Sequence, residues 1–108
     1  MIVLKFGGTS VQNAQMMDKS LTITADQIDR APVLVASAMS KVTDQLQEIA
    51  KLVGSGKEPE AEAILKIIED RHLSCARSFL TQDRLAECER DLAVIFAGLR
   101  ALLKALAK

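Results

Sequence analysis

The sequence predicts an α/β chain: a parallel βαβ unit at its start, then a helical subdomain, with most residues helical. Three observations lead there. Two short apolar runs, Ile2 to Phe6 and Val33 to Ala36, flank a segment whose apolar residues recur at helical spacing. From Val42 onward the apolar positions recur at steps of three and four. Of the 108 residues 49% are apolar, enough for one modest core without disulfides or metals.

The first strand opens on Ile2-Val3-Leu4 and continues through Lys5 to Phe6, where Gly7-Gly8 stops it. A run apolar on both faces reads as a buried parallel strand. Thr9 and Gln12, three apart, match a capping box, and Val11, Ala14, Met17, Leu21, Ala25 and Ile28 form a stripe. That predicts a helix of about five turns. Asp29-Arg30-Ala31-Pro32 breaks it, and Val33-Leu34-Val35-Ala36 supplies the second strand. Such crossovers are parallel and right-handed, so the loops after Phe6 and Ala36 should leave at the same sheet edge.

In the helical remainder, Val42, Leu46, Ile49 and Val53 make one stripe that Gly54-Ser55-Gly56 ends. Pro59 suits the first turn of the next helix, whose face carries Ala61, Ile64, Leu65, Ile68, Cys75, Ala76 and Phe79. Glu60, Glu62, Glu69, Asp70 and Arg71 read as its solvated side. After Thr81-Gln82-Asp83, a seam runs through Leu85, Cys88, Leu92, Ile95, Leu99, Leu102 and Leu106. Two long helices joined by a short loop should pack as an antiparallel hairpin; self-association through the leucine seam is the alternative.

Charge and composition exclude several classes. With 14 basic and 14 acidic residues interspersed, the chain has no broad footprint for nucleic acid or anionic membrane. Cys75 and Cys88 show no metal-type spacing and read as packing residues in a reducing compartment. No leader-like start and no membrane-spanning run is present, so the expected location is cytoplasmic. His72, near an apolar helix face, has no carboxylate or nucleophile placed to work with it and reads as a structural histidine.

Two loops carry chemistry. Lys5 is a cation inside an apolar strand, a costly position unless its ammonium reaches an anion or solvent. It stands at the strand's carboxyl end, where open parallel sheets take their ligands. Gly7 and Gly8 leave the backbone amides bare, and a helix starting near Ser10 would point its positive end at the same place. By physics alone this is either a phosphate site or a glycine turn beside a snorkelling lysine. The second loop, Ser37-Ala38-Met39-Ser40-Lys41-Val42-Thr43-Asp44, holds three hydroxyls and a cation. Its hydroxyls could meet a small polar ligand, or Ser40 or Thr43 could cap the next helix.

Lys5-Phe6-Gly7-Gly8-Thr9-Ser10-Val11 and, after it, Ser37-Ala38-Met39-Ser40-Lys41-Val42-Thr43-Asp44 together resemble the aspartate kinases of the amino acid kinase family. Two ordered motifs are far more specific than one. Relatives that act on glutamate, acetylglutamate, carbamate or UMP share the lysine-glycine idea but not this wording. The resemblance implies a partial amino acid kinase fold, with residues 1–108 as the N-terminal part of a catalytic domain. Residues 1–45 would be the βαβ with the phosphate and substrate loops, and residues 46–108 the helical hairpin region.

It further implies a cytoplasmic transferase of amino-acid biosynthesis that phosphorylates the side-chain carboxylate of aspartate with ATP, on the route to lysine, threonine and methionine. Lys5 would be catalytic, stabilising charge on the transferred phosphoryl. Lys5, Phe6, Gly7, Gly8, Thr9 and Ser10 would hold the nucleotide phosphates, and Ser37 and Thr43 would contact aspartate. Magnesium would arrive with ATP, with no metal ligand assigned in this chain. The parent is expected to be a homo-oligomer, with a fusion to homoserine dehydrogenase left open.

Two departures qualify the resemblance. Lys41 stands where the family often has glycine; if that position needs a positive φ, a lysine costs about 1 kcal/mol or more. No catalytic role is expected for it. The family's Gly-Glu and Arg-Gly-Gly-Ser-Asp motifs and its adenine-binding half do not occur, so the chain reads as truncated and catalytically incompetent alone. The competing reading is a non-catalytic helical module that self-associates through its C-terminal seam.

Overall fold

The computed structural model describes residues 1–107. It is mixed α/β and mostly helical, in the order β1 (Ile2–Phe6), α1 (Ala14–Asp26), β2 (Pro32–Ala36), α2 (Val42–Gly54), α3 (Glu58–Phe79) and α4 (Gln82–Leu106). Short 3-10 turns at Gly8–Val11 and Ile28–Arg30 bracket α1. The chain divides into two compact units, one ending at Val42 and the other beginning at Thr43.

In the first unit β1 and β2 pair in parallel, in a register running from Ile2↔Pro32 to Phe6↔Ala36. The expected crossover is thus present. The strands are not buried as expected: only Phe6 is, while Val3 and Val33 to Val35 stay exposed. A two-stranded sheet has too few neighbours to cover both its faces. Nor does α1 begin at Thr9. Its cap is Asn13, whose Oδ1 accepts from the Met16 amide at 2.9 Å, and Thr9 lies within the 3-10 turn. Leu21 and Ile28, from the expected stripe, are exposed, whereas Ser20 is buried. Ser20 is the one buried residue of α1.

In the second unit, α2 ends where its glycines predicted. Gly56, at φ +74°, closes a helix C-cap in which the Lys57 amide donates to the Leu52 carbonyl at 2.8 Å and the Gly56 amide to Val53 at 3.1 Å. Pro59 occupies the first turn of α3, as expected. Helices α3 and α4 form the antiparallel hairpin: contacts pair Glu69 with Arg100, His72 with Phe96 and Arg77 with Glu89, one sequence number rising as the other falls.

The buried face of α4 corrects the seam. Phe96 and Leu103 are buried, with Leu85, Cys88, Leu92 and Leu99 half-buried, while Ile95, Leu102 and Leu106 are exposed. A strict heptad drifts around a straight helix by about 20° per repeat, so the true contact line follows the 3.6-residue period. On α3 the face reads as expected, with Ala61, Leu65, Ile68, Cys75 and Ala76 buried. His72 packs within the hairpin: its Nδ1 lies 2.7 Å from the Ile68 carbonyl, and its ring meets Phe96 edge-on at 5.8 Å.

A two-pronged polar clamp crosses the hairpin. Arg100 donates to both carboxylate oxygens of Glu69, at 2.7 and 3.3 Å. The guanidinium bond outweighs the cost of burial and holds the Glu69 carboxyl below its ordinary value of 4.5. The clamp therefore stabilises the fold in full above about pH 4.5 and loses that contribution as pH falls through the lowered folded value. Arg100→Ala is expected to cost on the order of 1 kcal/mol at neutral pH, kept small because the arginine is 35% exposed. Urea titrations at pH 7 and pH 3 should show the difference between the two proteins shrinking in acid.

Candidate phosphate-binding site

The carboxyl ends of β1 and β2 bring the two sequence motifs together. The Ser37 amide donates to the Phe6 carbonyl at 2.9 Å, which carries the parallel ladder one residue past β2 and ties the second loop to the first. Gly8 is where the loops meet. A Cβ there would lie 3.3 Å from both the Ala38 carbonyl oxygen and Ser40 Cα. A side chain there would press on backbone, which must give by a few tenths of an ångström to admit it.

Gly7 differs in kind. Its backbone is extended at φ −77°, ψ 179°, and a Cβ there would meet nothing within 4 Å. Neither packing nor conformation asks for glycine at this position. What the missing side chain leaves is open access to the amides. Among the described residues, no backbone carbonyl accepts from the amides of Gly7, Gly8 or Thr9, because the strand ladder has ended and the 3-10 turn has only begun. The turn closes behind them, with the Ser10 amide donating to the Gly7 carbonyl at 3.0 Å. Three successive donors without backbone partners can receive an anion.

Lys5 is exposed on β1 opposite Val35, two residues before these amides. Phe6 is buried and anchors the strand end. Thr9 is exposed and Ser10 half-buried. In the second loop Ser37 is exposed, and Met39, which had no role in the sequence reading, is buried and serves as the loop's apolar anchor. The Val42 amide donates to the Met39 carbonyl at 3.1 Å. Thr43 is exposed in the first turn of α2, in the second unit.

Lys41 has φ +70°, the left-handed conformation that favours glycine, so the loop keeps a glycine-type geometry with lysine in it. Among the described residues, no three His, Cys, Asp or Glu side chains gather as metal ligands, and no helix is long and apolar enough to cross a membrane. The sequence reading also missed Ser20, the one buried polar side chain among the described residues, whose hydroxyl donates to the Ser10 carbonyl at 2.8 Å.

These features define an α/β unit with a bare-amide turn and a cation at the carboxyl end of a parallel strand, where open α/β sheets take ligands. No family model matches the chain. Its sequence is 32% identical over 104 residues to the bifunctional aspartokinase/homoserine dehydrogenase 2, chloroplastic, of Arabidopsis thaliana, covering 96% of this chain and 11% of that protein. It is 31% identical over 104 residues to aspartokinase 2, chloroplastic, of the same plant, covering 94% of this chain and 18% of the relative. With the aspartokinase of Chlamydia trachomatis serovar D it shares 38% identity over 85 residues, 79% of this chain and 18% of that one. The chain is therefore homologous to a segment of the aspartokinases, and it spans between 11% and 18% of the length of these relatives.

Proposed function

We propose that the chain is the opening part of an aspartate kinase catalytic domain, whose parent protein transfers the γ-phosphoryl of ATP to the side-chain carboxylate of aspartate. The product, aspartyl phosphate, would enter lysine, threonine and methionine synthesis. The observation that carries this reading is the run of amides at Gly7, Gly8 and Thr9 that donate to no backbone carbonyl among the described residues, beside an exposed lysine. The similarity to proteins named aspartokinases supports the choice of substrate.

In this reading the amides of Gly7 to Thr9, with Ser10 closing the turn, hold phosphate oxygens. Lys5 brings the positive charge that phosphoryl transfer needs as charge moves onto the leaving and transferred oxygens. ATP supplies the phosphoryl group and carries magnesium with it. Ser37 and Thr43 contact aspartate. The adenine site and the rest of the aspartate site belong to the remainder of the parent, so the 108-residue chain should not turn over by itself. A homo-oligomeric parent in the cytoplasm completes the proposal; the names of the plant relatives place those proteins in the chloroplast.

Titrating the chain with tripolyphosphate while following backbone amide resonances tests the site. The Gly7 to Ser10 signals are expected to move, and Lys5→Met should weaken binding roughly tenfold or more, the usual worth of a charge-assisted contact. Equal binding by Lys5→Met would remove Lys5 from the site. A coupled ADP-release assay with aspartate, ATP and magnesium should show no turnover by the chain, and robust turnover would overturn the claim of inactivity. Reading the coding sequence past Lys108 for the Gly-Glu and Arg-Gly-Gly-Ser-Asp motifs tests the parentage.

Exposed Ile95, Leu102 and Leu106 on α4 favour one competing reading, a helical module that binds its own kind. Light scattering across a concentration series separates the two, since a strictly monomeric chain excludes the module.

A further inference from the structure

Three hydroxyls on the helices share one habit. Thr22, Thr24 and Ser78 each donate to the carbonyl four residues back, at 3.0, 2.9 and 2.8 Å. That is the ordinary resting place for a hydroxyl in mid-helix. Ser20 leaves its helix. Its Oγ donates at 2.8 Å to the carbonyl of Ser10, ten residues earlier, at the far end of the bare-amide turn, and the side chain is buried where it does so.

Residue Ser10 is therefore tied through both its amide and its carbonyl. Its amide closes the turn onto Gly7, and its carbonyl is held by α1 through Ser20. Within the turn that the first tie closes lie the amides of Gly8 and Thr9, which donate to no backbone carbonyl among the described residues. A glycine turn held at one point only samples many conformations, and an anion that binds it must then offset the entropy of ordering it. Holding the turn from a helix removes that cost beforehand.

We propose that Ser20 is a positioning residue for the phosphate turn, acting through the Ser10 carbonyl and touching no ligand itself. This rests on the reading of Gly7 to Ser10 as a phosphate site. The chemical class it serves is the polyphosphate end of a nucleotide.

The experiment compares the wild-type chain with Ser20→Ala, Ser20→Thr and Thr24→Ala, using sodium tripolyphosphate as the probe. Ser20→Ala is expected to weaken binding about tenfold, the equilibrium factor of one hydrogen bond, and to lower the backbone order parameters of Gly8 to Val11. Ser20→Thr, which keeps the hydroxyl, should recover most of the affinity. Thr24→Ala loses a similar bond one turn along α1, and its binding should stay within about threefold of wild type, with the turn rigid. Alanine is the best helix former, so both alanine variants should retain α1.

If the wild type binds and Ser20→Ala matches it in affinity and order, Ser20 has no positioning role and the phosphate reading stands. The role also falls if Thr24→Ala loses as much as Ser20→Ala, because the effect then belongs to the helix. Should the wild-type Gly7 to Ser10 signals fail to respond, the phosphate reading fails and takes the proposal with it.

Discussion

Leu65→Ala is expected to lower the unfolding free energy by about 3 kcal/mol, within the usual span of 2–5 for a buried leucine. Leu65 is 2% exposed and is the largest fully buried side chain of the described residues. It also forms part of the wall of an apolar groove of about 360 Å³, together with Ile49 and Val53 of α2 and Leu99 and Leu103 of α4. The variant loses the transfer energy of the removed carbons and leaves a hollow that joins this groove. Leu102 and Leu106, exposed at the groove's margin, can swing partly inward, which keeps the cost below the upper end of the range. A domain of this size has about 5–15 kcal/mol in all, so the loss is a large fraction. Urea denaturation followed by helical circular dichroism should show a lower midpoint at unchanged slope. Ile67→Ala, on the exposed side of α3, should move stability by no more than about 0.5 kcal/mol, and equal losses in the two variants would contradict the assigned core face.

How far the fold was legible depended on whether a signal was local. The end of β1 at Gly7-Gly8, the cap at Gly56 and the place of Pro59 in the first turn of α3 all rest on one residue's own backbone preference. Those features read directly. The start of α1 misled because Thr9 and Gln12 have the spacing of a capping box, while the cap that forms is Asn13, an equally good residue four positions on. The seam of α4 misled because steps of three and four fit a heptad and a straight helix almost equally for two turns, then part by Ile95 and Phe96.

At the site, the motifs located both loops but said little of how they fit. That Gly8 stands close against the second loop and Gly7 does not could be known only from the distance between backbones. The Ser20 tie was invisible for the same reason, since nothing in a sequence marks a hydroxyl that reaches ten residues back. Exposure of the sheet was misread because an apolar run reports what a strand can bury, not what is present to cover it.

The two glycines supply the second large effect, since their substitutions should separate fold from function. Gly8→Val places branched carbons against the Ala38 carbonyl and Ser40 Cα, where the unbranched Cβ alone already stands at 3.3 Å. These are backbone atoms and yield only if the loop moves, so a cost of about 1–3 kcal/mol is expected, along with loss of the tripolyphosphate response. Gly7→Ala meets open space at an extended φ, so it should stabilise the chain by about 0.4–1 kcal/mol by restricting the unfolded state. Yet the new methyl adds bulk to the turn that an anion must approach, and binding should fall roughly tenfold, the worth of one displaced hydrogen bond. A more stable protein that binds phosphate less well is what a glycine kept for a ligand produces. If Gly7→Ala bound tripolyphosphate as the wild type does, the turn would be a structural one, and Lys5 would be a strand-end lysine in water.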